Sequence, residues 1–223
     1  MKRAVRAAGD RWHVSRRRML ERLMRAGIRD ERVLEALAAI PRHTLVPEAL
    51  GHRAYDEAPL PIGRGQTISA PGTVAAMSAA LALTGSEKVL EIGTGSAYQA
   101  AVLSRLAARV ISIERLPALA SRARRALDAL GVTNVVVQLG DGTRGWPTEA
   151  PYDAIVVTAG GPEIPAPLLE QIGRGGRLIG PFGPRGRQAL VRVRRSASGE
   201  LLAPEVLGAA RFVDLVGEHG WGG

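Results

Sequence analysis

The chain has 223 residues, no cysteine and a formal net charge of +9 at pH 7, and 46% of its residues are hydrophobic. This length fits one domain with a full core, and the lack of cysteine excludes disulfides, thiolate metal sites and cysteine nucleophiles. No stretch approaches the ~20 consecutive apolar residues of a membrane span, and arginines interrupt any N-terminal signal sequence, so we expect a soluble, cytoplasmic protein without a membrane partner.

Most of the positive charge lies at the N-terminus. Residues 1–25 contain nine Lys or Arg and two acidic residues, and the remainder of the chain is nearly neutral. Such a segment can bind nucleic acid, but it contains only one aromatic residue, Trp12, rather than aromatic residues interleaved with the basic ones. This favours a solvated helix face, so we predict no nucleic-acid partner. A positive surface can also attract acidic substrates. We treat residues 1–14 as a basic leader that precedes a single domain over residues 15–223.

That domain is predicted to begin with two helices. Ser15 can cap a helix over residues 16–26, and Asp30 can cap a second helix over residues 31–39. These helices belong to a predicted helical cap over residues 15–58.

A polar loop follows the cap. It spans residues 59–72 and includes GRGQTISAPG (63–72), in which glycines bracket several hydroxyl and amide side chains. The next segment, Thr73–Leu83, is predicted to be a buried helix because its side chains are small and apolar nearly all round. The catalytic core is predicted to extend from residue 73 to residue 223.

Strands and helices alternate after this helix. Strands are predicted over 88–92, 109–113, 135–139 and 152–158, helices over 97–106 and 117–130, and later strands over 177–182, 188–195 and 201–213. The alternation predicts a doubly wound, Rossmann-like α/β sheet with helices on both faces, followed by C-terminal antiparallel strands. Ligands bind such sheets beyond the carboxyl ends of the strands, so the loops there are candidate binding segments.

The first of these loops contains two glycines. In VLEIGTGSAYQAA (89–101), Gly93 and Gly95 allow the backbone to approach a ligand closely, although a plain tight turn needs the same residues. Tyr98 stands where a nicotinamide-binding loop would have a third glycine, and a pyrophosphate would lie poorly beside Glu91. Glu91 instead suits a ligand with an ammonium group; a solvated residue at the rim of the sheet is the alternative.

Glu114 ends the second strand, 21 residues after Gly93. An acidic side chain at this spacing can accept hydrogen bonds from both ribose hydroxyls, and a surface charge is the alternative. With Glu91, it predicts a nucleoside that carries an amino-acid appendage. S-adenosylmethionine fits this description.

Asp141 follows the third strand between two glycines. It can accept a hydrogen bond from an adenine amino group, and a Gly-Asp-Gly turn is the alternative. Its position at the same rim as the two preceding loops favours the binding role.

Four ordered motifs resemble those of the protein-L-isoaspartate O-methyltransferases. The most specific is the run from Gly140 to Ile155, and PIGRGQTIS (61–69), VLEIGTGS (89–96) and GPEIP (161–165) also match. The resemblance spans residues 15 to about 218. It implies an enzyme that methylates isoaspartyl residues of damaged proteins with S-adenosylmethionine, after which the ester collapses to a succinimide and hydrolyses partly to normal aspartate.

The resemblance also implies roles for individual residues. In this family the segment at 61–69 folds over the cofactor and holds the substrate carboxylate, which places Ser69 at the catalytic position. Further substrate contacts are implied for Thr67 and Val213. The implied cofactor-binding residues are Ile68, Glu91, Gly93, Gly95, Glu114, Asp141 and Gly142. The chain departs from the family pattern at Ala97, where a glycine is usual, and at Asp214, where a proline is usual.

A hydroxyl at Ser69 suffices for the implied chemistry. A carboxylate with a free pKa of about 4 is ionised at neutral pH, so its methylation needs alignment rather than a general base. From the residues alone, Ser69 can equally cap the helix that follows.

Two other functions stay open on sequence grounds. The first keeps the cofactor and takes a nucleic acid or a small molecule as acceptor, but no Asn-Pro-Pro-Tyr-type motif follows the fourth strand. The second is a non-catalytic nucleic-acid binder built on the basic leader. The spacing of the four histidines does not match a metal site, so we expect no bound metal. We also expect the protein to be a monomer.

Overall fold

The computed structural model describes the backbone of residues 2–222 and the side chains of residues 12–222. Its helices are α1 (Lys2–Arg25), α2 (Glu31–Ala39), α3 (Pro71–Ala80), α4 (Tyr98–Leu103), α5 (Pro117–Ala129) and α6 (Ala166–Glu170). Its strands are β1 (Leu60–Gly63), β2 (Gln66–Ile68), β3 (Lys88–Ile92), β4 (Arg109–Glu114), β5 (Val135–Leu139), β6 (Tyr152–Val157), β7 (Ile172–Phe182), β8 (Gln188–Arg194) and β9 (Glu205–Ala210).

Seven of the strands form one sheet in the order β5-β4-β3-β6-β7-β8-β9. The pairs from β5 to β7 are parallel, and β8 and β9 add to the sheet in antiparallel orientation. This confirms the predicted fold class. The chain runs outward from β3 to β5 and then returns to the other side of β3 with β6, so the switch point for ligand binding lies between β3 and β6.

The central strands β3, β4 and β6 are buried along most of their length, which explains why most of their buried positions are apolar. In β3, Val89 belongs to the core formed with α1 to α5, whereas Leu90 and Ile92 belong to a second core on the opposite face with α6. Successive side chains of a strand point to opposite faces, so this five-residue strand contributes to both cores.

The first helix is longer than predicted. It runs from Lys2 to Arg25, so the prediction that Ser15 begins a helix at residue 16 is wrong. Residues 2–14 include three Ala and three Arg, which favour helix and allow it to extend. Trp12 stacks on His43 with 4.5 Å between ring centroids. The predicted division after residue 14 therefore falls within a continuous helix that is already packed on the domain.

The predicted cap of the second helix, α2, is confirmed, since Asp30 accepts a hydrogen bond from the Val33 N–H at 3.1 Å.

The predicted polar loop contains a β-hairpin. β1 pairs with β2 in antiparallel orientation, and Arg64 and Gly65 form the turn with φ of 56° and 71°. Positive φ at both central residues is typical of tight hairpin turns. Leu60, Ile62 and Ile68 are buried, so the hairpin is anchored to the domain by alternate apolar side chains.

The C-terminal strands differ in length from the prediction. β7 begins five residues before the predicted start at 177, and β9 is confined to Glu205–Ala210 within the predicted range 201–213. Between residues 2 and 222, no helix is both long enough and apolar enough to cross a bilayer.

Candidate active site

A narrow cleft opens at the carboxyl ends of β3, β4 and β6. Its walls come from the loop after β3, the end of β4, the hairpin with the start of α3, and the C-terminal tail. The predicted site residues that line it are Thr67, Ile68, Ser69, Gly93, Gly95, Glu114, Gly142 and Val213. The structure therefore brings eight of the ten predicted residues together, whereas Glu91 and Asp141 lie outside the lining.

The floor of the cleft is the glycine loop after β3. Gly93 has φ of +98° and Gly95 has φ of +53°, a backbone region that glycine adopts without strain. A Cβ on Gly93 would lie 2.5 Å from Oγ1 of Thr158, so no larger residue fits there without rearrangement. The loop turns sharply at this point and exposes its backbone to the cleft.

Glu114 holds this loop from the end of β4. Its side chain is 6% exposed, and its Oε2 accepts from the Gly95 N–H while its Oε1 accepts from the Leu116 N–H, both at 2.9 Å. Each carboxylate oxygen has a second lone pair, so Glu114 can still accept hydrogen bonds from two ligand hydroxyls.

Glu91 lies beneath the cleft. Its side chain is fully buried and accepts a hydrogen bond from the Ser112 hydroxyl, which lies 2.5 Å from the Thr94 hydroxyl in the glycine loop. Burial raises the pKa of Glu91 to about 8, although the Ser112 hydrogen bond opposes this and the charge of Glu114 adds to it. Glu91 thus supports the loop from below, and its predicted contact with a ligand stays a prediction.

Asp141 organises the third loop. Its Oδ1 accepts from the Thr143 N–H at 2.9 Å, and its Oδ2 accepts from the Glu218 N–H at 2.8 Å. Burial raises the pKa of Asp141, but these hydrogen bonds outweigh it and hold the pKa below its ordinary value. Asp141 therefore joins the loop to the C-terminal tail, and its predicted adenine contact stays a prediction. The adjacent Gly142 reaches the cleft, where a Cβ would lie 2.4 Å from Ile92 Cγ2.

The C-terminal tail crosses the rim of the cleft. Gly160 N–H donates to Val213 O at 2.7 Å, and Leu215 N–H donates to Gly160 O at 2.8 Å. Asp214, at the position where the family has proline, forms an ion pair with Arg185 at 2.8 Å. The tail is thereby fixed beside the end of β6.

Ser69 has a free hydroxyl at the mouth of the cleft. α3 begins at Pro71 with Ala70 as its N-cap and has no side-chain cap hydrogen bond, so Ser69 does not cap this helix. Within residues 12–222, no hydrogen-bond partner is found for the Ser69 side chain. Its hydroxyl is available for a ligand.

A second, wider groove meets the cleft at Ser69. Thr67, Ser69, Thr158 and Val213 line both cavities, so any group transferred between a ligand in the cleft and one in the groove must pass them. Sequence reasoning missed Thr158. Its position directly after β6, at the same rim as the other loops, was the signal that could have identified it. Its hydroxyl donates to the carbonyl oxygens of Ile92 and Gly93 at 2.9 and 2.6 Å.

No group of three or more His, Cys, Asp or Glu side chains in the described part of the chain could hold a metal ion. The polar groups at the junction of the two cavities are hydroxyls and backbone amides. Such a site can align an acceptor that is already nucleophilic, and it offers no side chain that would act as a strong base.

Comparison with known proteins gives a consistent result. Residues 14–220 match the family model for protein-L-isoaspartate(D-aspartate) O-methyltransferase. A protein-L-isoaspartate O-methyltransferase of Syntrophus aciditrophicus is 56% identical over 96% of this chain and 99% of its own length. A protein with the same name from Methanoculleus marisnigri is 55% identical over 93% of this chain and 94% of its own length.

Two solved structures have the same fold. A protein-L-isoaspartate O-methyltransferase superposes with a TM-score of 0.79 at 29% identity, over 92% of this chain and 67% of the other. A Plasmodium falciparum chain, solved with S-adenosyl-L-homocysteine, superposes with a TM-score of 0.76 at 24% identity, over 89% and 96% of the two chains. At that identity the second likeness supports the fold alone.

Proposed function

Because the chain belongs to the protein-L-isoaspartate(D-aspartate) O-methyltransferase family, we propose that its cleft holds the cofactor and that its junction with the groove holds the acceptor carboxylate. The chain is a protein repair enzyme that moves a methyl group from S-adenosylmethionine to the free carboxylate of L-isoaspartyl residues in damaged proteins and peptides. This assignment of roles rests on one observation. Four residues line both the cleft and the groove: Thr67, Ser69, Thr158 and Val213.

The lining of the cleft fits S-adenosylmethionine. Gly93 and Gly95 leave room for a ligand against the backbone, Glu114 presents a buried carboxylate to ribose hydroxyls, and Ile68 supplies an apolar wall. Gly142 borders the same space, and Glu91 and Asp141 support the two loops that form it. When bound, the cofactor supplies an electrophilic methyl group on a sulfonium.

The residues of the chain then orient the acceptor. The isoaspartyl carboxylate is ionised at neutral pH, so no residue has to remove a proton from it. The free hydroxyl of Ser69 can donate a hydrogen bond to this carboxylate, and Thr67 and Val213 confine it at the junction. Thr158 fixes the Gly93 peptide and closes the opposite wall. Holding the reacting groups in line can supply several kcal/mol of rate enhancement.

The function predicts selective methylation. The purified protein should transfer a labelled methyl group to a peptide that contains isoaspartate, and it should leave the otherwise identical aspartyl peptide unlabelled. The comparison is made by base-labile methyl ester formation from labelled S-adenosylmethionine. Equal labelling of the two peptides would contradict the assignment.

Ser69→Ala tests the proposed orientation. We expect kcat to fall by about 10- to 100-fold, because a hydrogen bond to a charged group contributes about 1.5–3 kcal/mol. The dissociation constant for S-adenosylhomocysteine, measured by calorimetry, should change by less than about threefold. Ser121→Ala, on the remote helix α5, is the matched control and should retain wild-type kcat. An unchanged kcat in Ser69→Ala would remove Ser69 from the mechanism.

We also propose that the enzyme acts as a cytoplasmic monomer without a nucleic-acid partner. The described residues of this chain form a cleft, a groove and the junction between them, which are the parts that the proposed function needs. The substrate is a polypeptide, and it can enter the groove directly from solvent.

A further inference from the structure

The groove continues from the junction across the outer part of the sheet. Its lining includes the start of α3 and the segment from Ala209 to Val213, which comprises the end of β9 and the residues that follow it. Leu190 of β8 also lines the groove. The groove is therefore bordered by the last strands of the sheet and lies outside the cofactor cleft.

Small, uncharged residues make up most of the groove lining, with Leu190 and Phe212 as its larger apolar members. Gly72, Thr73, Ala76, Ala209 and Ala210 leave space for an extended chain to lie against the protein. A polypeptide substrate must continue on at least one side of its isoaspartyl residue, and the groove is contiguous with the junction where that residue is held. This inference rests on the proposed function.

Arg211 is the only charged residue among the described residues that line the groove. Its side chain is exposed, and it has no hydrogen-bond or ion-pair partner within residues 12–222. Acidic side chains on adjoining segments are already engaged. Glu57 accepts from the Gly72 N–H at 2.8 Å, and Asp214 pairs with Arg185 at 2.8 Å. Neither carboxylate pairs with Arg211, so its guanidinium is available to whatever occupies the groove.

We propose that the groove binds the polypeptide that flanks the isoaspartyl residue and that Arg211 selects an acidic side chain in it. Guanidinium groups pair with carboxylates through planar, directed donors, and a positive charge at the rim of a site also speeds the approach of an acidic partner. The enzyme then prefers damaged segments in which an acidic residue lies within a few residues of the isoaspartate.

The test uses isoaspartyl peptides that differ at one flanking position. Glu or Lys is placed in turn at each of the three positions on either side of the isoaspartate, and kcat/KM is measured for each peptide. For at least one position we expect kcat/KM of the Glu peptide to exceed that of the Lys peptide by about five- to tenfold. The Glu peptide would gain one exposed ion pair with Arg211, whereas the Lys peptide would be repelled by it. The ratio should fall as the salt concentration rises.

Two variants of Arg211 test whether this residue causes the preference for Glu over Lys. Arg211→Gln should bring the Glu-to-Lys ratio close to one, and Arg211→Glu should invert it. Arg174→Glu makes the same charge change near the start of β7, at the end of the strands opposite the cleft, and should leave the ratio as in the wild type. Calorimetry with S-adenosylhomocysteine verifies that each variant is folded.

The outcomes separate this proposal from the function itself. Methylation of all the peptides at equal rates, or a preference that survives in Arg211→Glu, would overturn the role of Arg211 and leave the methyltransferase function intact. Failure of every isoaspartyl peptide to accept a methyl group would contradict the function and with it this inference.

Discussion

Replacement of Glu114 with Ala is expected to weaken the binding of S-adenosylhomocysteine by at least about 100-fold. The carboxylate accepts from the Gly95 and Leu116 N–H groups, so its loss releases the glycine loop as well as the proposed ribose contacts. Hydrogen bonds to a charged group contribute about 1.5–3 kcal/mol each, and one to two such contacts to ligand hydroxyls account for the expected loss. Calorimetric titration of the purified variant gives the dissociation constant directly.

Two further variants define what the carboxylate does. Glu114→Gln keeps the size of the side chain, but its amide nitrogen cannot accept from a backbone N–H, so binding should fall between wild type and Glu114→Ala. Glu170→Ala, at the exposed end of α6, is the control for loss of an acidic residue and should bind normally. If Glu114→Ala lowered the melting temperature while the dissociation constant stayed unchanged, Glu114 would be a structural residue only.

The parts of the fold that the sequence predicted correctly are those in which one local pattern decides the outcome. The bounds of α2, β3 and β5 agree with the prediction to the residue, because short apolar runs with turn residues on both sides leave little freedom. The position of the site was also predicted from local sequence patterns. Glycines and acidic residues directly after parallel strands meet at one edge of the sheet, and eight predicted residues do line the cleft.

The sequence could not reveal the features that depend on packing between distant segments. Glu91 follows three residues of a buried strand, and nothing in its local sequence distinguishes a ligand contact from a buried carboxyl supported by Ser112, 21 residues away. Asp141 is similarly engaged by the backbone of Glu218, a tertiary contact without a local signal. The start of α1 was misplaced because Ser15 is a good cap residue in a segment whose preceding residues also favour helix.

Ala97 shows how the structure explains a departure from the family pattern. It has φ of 69° and ψ of 11°, the left-handed conformation that glycine adopts without penalty, and its side chain is fully buried. An L-residue in this conformation is strained by about 1–2 kcal/mol. The usual glycine at this position therefore serves the backbone turn into α4, a requirement separate from space for the ligand.

Replacement of Glu91 with Gln is expected to alter the pH dependence of stability. With its folded-state pKa at about 8 and an ordinary value of 4.5, the buried carboxyl keeps a proton that the unfolded chain releases. The folded state binds more protons than the unfolded state in this window, so the free energy of unfolding of the wild type falls as the pH rises from about 5 to about 8. The change integrates to about 4 kcal/mol. The amide of the Glu91→Gln variant does not titrate, so the variant gains stability relative to the wild type by this amount.

Urea unfolding of both proteins at intervals between pH 5 and pH 9 measures the effect. Glu87→Gln is the control, because the pKa of Glu87 is lowered in the folded state whereas that of Glu91 is raised. Burial raises the pKa of Glu87, but hydrogen bonds from the Thr84 and Gly85 N–H groups outweigh it and lower the pKa to about 2. Its stabilising contribution is lost only as the pH falls from about 4.5 towards 2, so Glu87→Gln should destabilise by a constant amount from pH 5 to pH 9. A constant difference for Glu91→Gln as well would mean that Glu91 is ionised in the folded protein. The glycine loop would then rest on a buried negative charge, and the Ser112 and Thr94 hydroxyls would have to stabilise that charge before any cofactor bound.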